Sequence, residues 1–311
     1  MVNLGRKTAG VTPDHHITVC ICTYKRPELL RRLLAKIEQQ QTDDLFDISV
    51  VIVDNDKQQS AYRTVSQYAA QSKIIIDYFV EPEQNIAMAR NKTIENAKGA
   101  YVSFIDDDEF PEHQWLLNLY KAMQHYKAEG ILGPVLPCFE ITPPEWVLRG
   151  RIFERPAPAT GQVLDWQSTR TGNALLRKGL FAKQCMWFDP SYGSGGEDRD
   201  FFRRMIAKGH TFIWCNEAPV FEIIPPRRWD KKILLKRALL RGKMAFNSAD
   251  SKPFSVIYSS AAIAIYACLL PISLILGHHI FVNYLIKTCD HIGMVAAFFG
   301  VNLIDEKYVG V

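Results

Sequence analysis

The chain has 311 residues, 48% of them hydrophobic, and a formal net charge of +4. That is enough apolar material for one large α/β domain with an appendage, and it excludes a disordered or fibrous chain. Seven scattered cysteines without zinc spacing exclude a disulfide scaffold and read as reduced core thiols, as on the cytosolic side of a membrane.

Residues 1–16 are polar and lack an apolar core, so no secretion signal is expected. Apolar residues 17–22 predict a first strand, and Pro27 opens a helix to about residue 41. Strands follow at 47–54, 73–80, 100–106 and 131–138, alternating with helices at 61–71, 86–97 and 112–127. Near-continuous apolar strands separated by amphipathic helices predict an α/β fold, a mostly parallel sheet flanked by helices. In such sheets ligands bind beyond the carboxyl ends of the strands. Three polar groups fall at those ends: Thr23-Tyr24-Lys25-Arg26-Pro27, Asp54-Asn55-Asp56 and Asp106-Asp107-Asp108-Glu109.

The acidic run carries the most information. Alternation along a strand would put Asp106 and Asp108 on one side and Asp107 on the other. An Asp-x-Asp pair can hold a hard cation and, through it, a diphosphate; a solvated acidic turn is the plain alternative. A carboxylate of the Asp54-Asn55-Asp56 group can accept the imide N–H of uracil. Arg90 and Asn91, near the start of a helix, can reach the nucleotide or the acids. The stretch from Val11 to Gly99 contains no glycine between those two positions, which excludes a Rossmann or P-loop cradle and weighs against a nucleotidyltransferase.

Residues 139–165, rich in Pro and Gly, are expected to be irregular, with strands resuming at 172–176 and 211–215. Between these strands, Gly193-Ser194-Gly195-Gly196 leads into Glu197-Asp198 and a helix ending at Gly209. A carboxylate at a helix start stays ionised and able to accept a proton; capping that helix is the alternative role for Asp198.

Residues 227–243 carry eight basic residues and one acid, Asp230, which leaves the rest of the chain slightly acidic. So local a basic helix, beside apolar segments, suits an anionic membrane surface and not nucleic acid. Residues 253–286 contain no Asp, Glu, Lys or Arg; 254–276 are long enough to span a bilayer, and 292–304 are too short. Three regions are expected: a catalytic domain at 14–225, a basic helix or linker at 226–252 and an apolar membrane-associated region at 253–311.

Taken in order, Cys22-Thr23-Tyr24-Lys25-Arg26-Pro27, Val53-Asp54-Asn55-Asp56, residues 85–91, Phe104-Ile105-Asp106-Asp107-Asp108-Glu109 and Gly195-Gly196-Glu197-Asp198 resemble the family 2 glycosyltransferases of GT-A fold. The likeness is strongest to bacterial exopolysaccharide glucosyltransferases of the succinoglycan type, and it covers residues 17–244. The resemblance implies inverting transfer from a UDP-sugar to a lipid-linked oligosaccharide acceptor at the cytoplasmic membrane face. Thr23, Tyr24, Arg26 and Asp54 would frame the nucleoside, with Asn85, Arg90 and Asn91 assisting at the donor. Asp106 would touch the ribose, and Asp108, with Asp106, would bind Mn²⁺ or Mg²⁺. Asp198 would be the general base, with Glu197 the second choice. A His that relatives carry after the last core strand is replaced here at Phe221. Pro225 stands where processive relatives have Gln before Arg228-Trp229, which predicts single additions. Among Trp146, Trp166, Trp187 and Trp229, the last is the best placed to stack on a sugar. A non-catalytic nucleotide-sugar-binding protein of the same fold is the competing reading.

Overall fold

The computed structural model describes residues 2–3, 13–182, 186–193, 195–247 and 252–304; Cys185, Ser194, the 248–251 junction and most of the first twelve residues lie outside them. In chain order the elements are β1 (Val2–Asn3), β2 (His16–Thr23), α1 (Pro27–Glu38), β3 (Asp47–Asp54), α2 (Tyr62–Ala69), β4 (Ile75–Val80), α3 (Ile86–Asn96) and β5 (Tyr101–Ile105). Then come β6 (Glu109–Pro111), α4 (Trp115–Tyr126), β7 (Gly130–Leu132), β8 (Val135–Cys138), α5 (Glu145–Arg149), β9 (Asn173–Arg177) and α6 (Glu197–Ala207). The chain closes with β10 (Phe212–Trp214), β11 (Val220–Ile223), α7 (Lys231–Asn247), α8 (Lys252–Leu276) and α9 (His278–Phe298).

Eight strands form a sheet in the order β1-β4-β3-β2-β5-β9-β7-β10. β4, β3, β2 and β5 run parallel, and β9 is antiparallel to both of its neighbours. The mostly parallel sheet expected from the apolar runs is therefore present. Register aligns Thr23 with Asp54 and Asp54 with Val80, while Asn173 at the start of β9 faces Ile105. One edge of the sheet thus collects the ends of four parallel strands and the beginning of an antiparallel one.

Both faces are covered. Ile17, Val19 and Ile21 of β2, with Val50 and Ile52 of β3, join a core with Leu30, Leu33, Leu34 and Ile37 of α1. Those four helix residues recur at helical spacing, and each contributes about 1.5–3 kcal/mol by full burial. On the other face, Cys20, Val51 and Val53 pack with Ala87 and Ile94 of α3.

The expected strand at 131–138 is broken. Pro134 has no N–H for a ladder, and Gly133 takes the chain away by donating to the Asn173 carbonyl at 3.0 Å, so β7 stays in the main sheet. β8 belongs to a small three-stranded sheet with β6 and β11 that the apolar pattern did not announce. Residues 139–165, expected to be irregular, contain the short helix α5.

By compactness the chain divides into two units: Met1–Leu136 with Arg155–Glu222, and Pro137–Glu154 with Ile223–Val311. The expected linker and apolar tail share the second unit. Within it α7 and α9 cross at glycines: a Cβ on Gly242 would meet the Asp290 carbonyl oxygen at 1.9 Å, and one on Gly293 the Leu239 carbonyl oxygen at 2.1 Å. Arg241 grips Asp290 beside the crossing, Nε to Oδ1 at 3.0 Å and Nη2 to Oδ2 at 3.1 Å. α8 packs on α9, where buried Ser259 lies 3.1 Å from His291 Nδ1. Among the described residues, α8 is the one helix long and apolar enough to cross a membrane, with a mean hydropathy of 2.1. Its Phe254, Ile257, Ile265 and Ile275 are exposed.

Candidate active site

The acidic run lies past the end of β5, in the first unit. Asp106, Asp107 and Asp108 form a turn, closed by the Glu109 N–H donating to the Asp106 carbonyl at 3.1 Å. Strand alternation therefore does not govern them, which corrects the sequence argument. Asp107 and Asp108 both turn to Arg26, whose Nη1 donates to Asp107 Oδ1 at 3.0 Å and to Asp108 Oδ2 at 2.9 Å. Asp106 turns instead to Arg90. Thr23 Oγ1 donates to Asp107 Oδ2 at 2.8 Å, so two residues of the first strand–helix turn brace the acids.

Glu109 is buried and accepts from the Asp106 N–H at 3.0 Å, and register in the small sheet sets Glu222 opposite it. Burial pushes the Asp108 carboxyl up to about 7 despite Arg26, with Asp107, Asp106 and Glu222 adding to the effect. Glu109 is raised well above the usual carboxylate range, first by burial and then by Asp106 and Glu222. Acids outnumber the arginines here, and a crowd of carboxyls that holds its protons for want of positive charge suits a hard divalent cation. Among the described residues no three His, Cys, Asp or Glu side chains gather into a metal cage. Asp106 and Asp108 would be two carboxylate ligands, which is sufficient for Mg²⁺ when phosphate oxygens and water complete the shell.

Arg90, buried on α3, joins the acidic turn to α6. Its Nη2 donates to Asp106 Oδ1 at 3.2 Å and its Nη1 to Glu197 Oε1, with the Phe188 ring 5.9 Å away. Gly196, at φ +93°, caps α6, a left-handed conformation that glycine adopts without steric cost. Asp198 is consequently in the first turn and is not the cap. Glu197 is buried against Arg90, with Oε2 lacking a hydrogen-bond partner among the described residues, whereas Asp198 is part-exposed and among those residues accepts only the Arg199 N–H, at 2.7 Å. Of the two acids, Asp198 is the one open to a substrate.

Several residues expected to touch the donor are consumed by the scaffold. Asp54 is fully buried: its oxygens accept from Ala61 N–H at 2.8 Å, Tyr78 O–H at 2.9 Å and Asp56 N–H at 3.1 Å. Asn85 caps α3, accepting from Ala87 and Met88, and donates to the Pro190 carbonyl at 3.0 Å. Asn91 accepts from the Trp187 and Phe188 amides and donates to the Phe188 carbonyl. Both asparagines therefore fix the loop that precedes Gly195 and Gly196. Tyr24 is half-buried, with Lys25 Nζ 5.0 Å from its ring.

Sequence reasoning passed over Asp56 in favour of Asp54. Asp56 Oδ1 accepts from Gln58 N–H at 3.1 Å, but Oδ2 is buried without a partner among the described residues, within the influence of the exposed Lys25 charge. A buried acceptor in that state points to a missing donor. The repeated carboxylate in Asp54-Asn55-Asp56 was the available signal, and only the fold distinguishes the two. Phe221 pairs with Phe110 in the small sheet, and the next residue, Glu222, is the one whose charge acts on Asp108 and Glu109.

Residues 18–183 match the family model for Glycosyl transferase family 2. The chain is also 34% identical over 230 residues to the succinoglycan biosynthesis protein ExoM of Rhizobium meliloti, covering 73% of each chain. This chain is a family 2 glycosyltransferase. It is 30% identical to the succinoglycan biosynthesis protein ExoW of the same organism, over 65% of this glycosyltransferase and 67% of that protein. A hyaluronan synthase of Pasteurella multocida is 24% identical over 71% of this glycosyltransferase and only 26% of the synthase. Staphylococcus aureus TarS 1-349, solved in complex with UDP, superposes with a TM-score of 0.52 at 13% identity, over 93% of this glycosyltransferase and 94% of TarS 1-349. That likeness supports the GT-A fold. The family match contains the acidic turn, Arg26 and Arg90; Glu197 and Asp198 lie beyond it.

Proposed function

We propose that this glycosyltransferase is inverting and metal-dependent and adds a single β-linked glucose from UDP-glucose to a polyprenyl-diphosphate-linked oligosaccharide. The observation that carries the mechanism is the Arg90 bridge, which fixes the acidic turn and the start of α6 around one guanidinium. The likeness to ExoM supports a place in exopolysaccharide biosynthesis, and the UDP and UDP-GlcNAc complexes of TarS support a uridine nucleotide.

Asp56 Oδ2 would accept the uracil imide proton beside Tyr24, and Arg26 would lie next to the diphosphate. Asp106 and Asp108 would hold Mn²⁺ or Mg²⁺, which supplies charge neutralisation for the departing diphosphate. Asp198 takes the proton of the acceptor hydroxyl as its oxygen bonds to the sugar C1 on the face opposite the diphosphate. The C1–O bond breaks with its electron pair leaving on UDP, so the configuration at C1 inverts. Buried Glu197 keeps Arg90 in place and is a positioning residue.

Exposed apolar side chains on α8 and the basic residues of α7 support attachment to the cytoplasmic face of the cell membrane. Pro225 before Arg228-Trp229 supports a single addition. A screen of nucleotide sugars in membrane extracts, with and without EDTA, tests the reading. UDP-glucose turnover that stops on chelation is expected; turnover of a different nucleotide sugar, or turnover indifferent to chelation, sinks the corresponding claim.

A further inference from the structure

The first unit contains a cavity of about 240 Å³ that the donor reading does not use. It opens at the carboxyl end of β7 and the start of β9, the sheet edge that also carries the acidic turn. Its walls include Pro156, Pro158 and Trp214, and its lining has two charged side chains, Arg155 and Arg170, and no acid. The turn at Trp166–Ser168, which supplies Gln167 to the lining, packs against α6, the helix that begins with Glu197 and Asp198. The cavity is therefore a neighbour of the proposed base.

The two arginines differ. Arg155 Nη2 reaches Glu222 Oε2 at 2.9 Å and is partly neutralised. Arg170 has no carboxylate in hydrogen-bond reach among the described residues; its Nη1 donates to the carbonyls of Gln167 and Thr169. Burial pushes its guanidinium down to about 10, Arg199 and Arg155 add to that, and Asp198 opposes it. A half-buried guanidinium among other cations is costly unless an anion arrives, and a planar fork on a concave wall matches a carboxylate or phosphate in two hydrogen bonds. Trp214, buried to 7% exposure, closes part of the cavity wall.

We propose that this cavity is an acceptor subsite selective for an anionic group, a carboxylate or phosphate carried by the acceptor, with Arg170 as its principal anchor and Arg155 as its second. The inference rests on the glycosyl-transfer reading and deepens it: the acceptor hydroxyl meets Asp198 while the anionic group, a short distance further along, meets Arg170. Charge thereby selects the acceptor independently of the donor.

Ligand-observed NMR titrations on the detergent-solubilised full chain, with the donor site saturated by UDP and Mn²⁺, test the proposal with three probes. These are methyl β-glucuronide, methyl β-glucoside and inorganic diphosphate. At least one anionic probe should bind about tenfold or more tightly than the glucoside. A preference for the glucuronide assigns the anion to an acidic sugar, and a preference for diphosphate assigns it to the lipid-linked phosphates. Arg170→Gln should abolish the preference while UDP binding and the melting temperature stay as in the wild type; Arg170→Lys should restore part of it, and Arg155→Gln should weaken it less. Equal binding of all three probes, or an undiminished preference in both Arg170 variants, overturns the proposal. A chain that binds no UDP contradicts the donor reading instead. The glucuronide and the glucoside are then compared without nucleotide, and a tenfold preference or its absence decides the anion subsite in the same way.

Discussion

Asp106 and Glu197, remote in sequence, are held by the two terminal nitrogens of one guanidinium, that of Arg90. The pairing ties the tip of β5 to the first residue of α6. Removing the cation leaves Glu197 buried and uncompensated, which costs about 3–5 kcal/mol for a buried pair. Arg90→Ala is expected to lose that much in urea denaturation at pH 8. Arg90→Lys should recover only part of it, since one ammonium does not present the guanidinium fork. Wild-type stability for Arg90→Ala would contradict the arrangement.

The two acids of α6 should separate experimentally. Asp198→Asn is expected to lower turnover by about 10²–10⁴-fold with UDP affinity and melting temperature unchanged. Glu197→Gln should lower the melting temperature as well as turnover, because its partner is the buried Arg90. If Asp198→Asn turns over normally and Glu197→Gln alone is inactive without loss of fold, the roles are reversed.

Burial raises the Glu197 carboxyl to about 7 from an ordinary 4.5, outweighing the pull of Arg90. A carboxyl with a raised folded value holds its proton longer in the folded state. Its contribution to stability is present below about pH 4.5 and is lost as pH rises through 7. Melting temperatures across that window should fall more steeply in the wild type than in Glu197→Gln. Parallel curves would count against the raised value.

The glycine crossing in the second unit admits no side chain. Gly242→Ala would place a Cβ 1.9 Å from the Asp290 carbonyl oxygen, forcing α7 and α9 apart. The expected loss is about 1–3 kcal/mol or more, read as faster hydrogen exchange in both helices. Ala245→Leu, at an exposed position on the same helix, should change little.

Cysteine labelling reports on the apolar helix. Cys268 is exposed on α8, whereas burial pushes the Cys20 thiol up to about 12. A membrane-impermeant maleimide should modify Cys268 in detergent-free, lipid-free protein and spare it in reconstituted vesicles, with Cys268→Ser identifying the adduct. Equal labelling in both states would place α8 outside the bilayer.

Much of the architecture was legible because apolar runs such as Asp47–Asp54 are buried on both faces, and Pro27 and Asn85 mark helix starts by local chemistry. The grouping of the acidic turn, Arg26 and Arg90 was legible too, since each sits at a strand end or helix start on one edge. Orientation was not. Asp54 and Asp56 are equivalent in sequence, and only the path of the chain toward Ala61 consumes one and leaves the other with a bare oxygen. Alternation failed at Asp107 because the strand ended two residues earlier. Arg170 and Trp214 sat in stretches without a motif, and the cavity they share exists only after β7, β9 and β10 are assembled.

The segment Pro137–Glu154 belongs with the end of the chain. Its Phe139 ring lies 5.7 Å from Trp229, its Gly150 carbonyl accepts from Asn283, and its Cys138 carbonyl accepts from Ile224. Cutting the polypeptide after Glu222 to obtain a soluble catalytic fragment would strand Pro137–Glu154 with its partners gone and its apolar side chains wet. A trimmed enzyme would have to give up Pro137–Glu154 along with everything after Glu222.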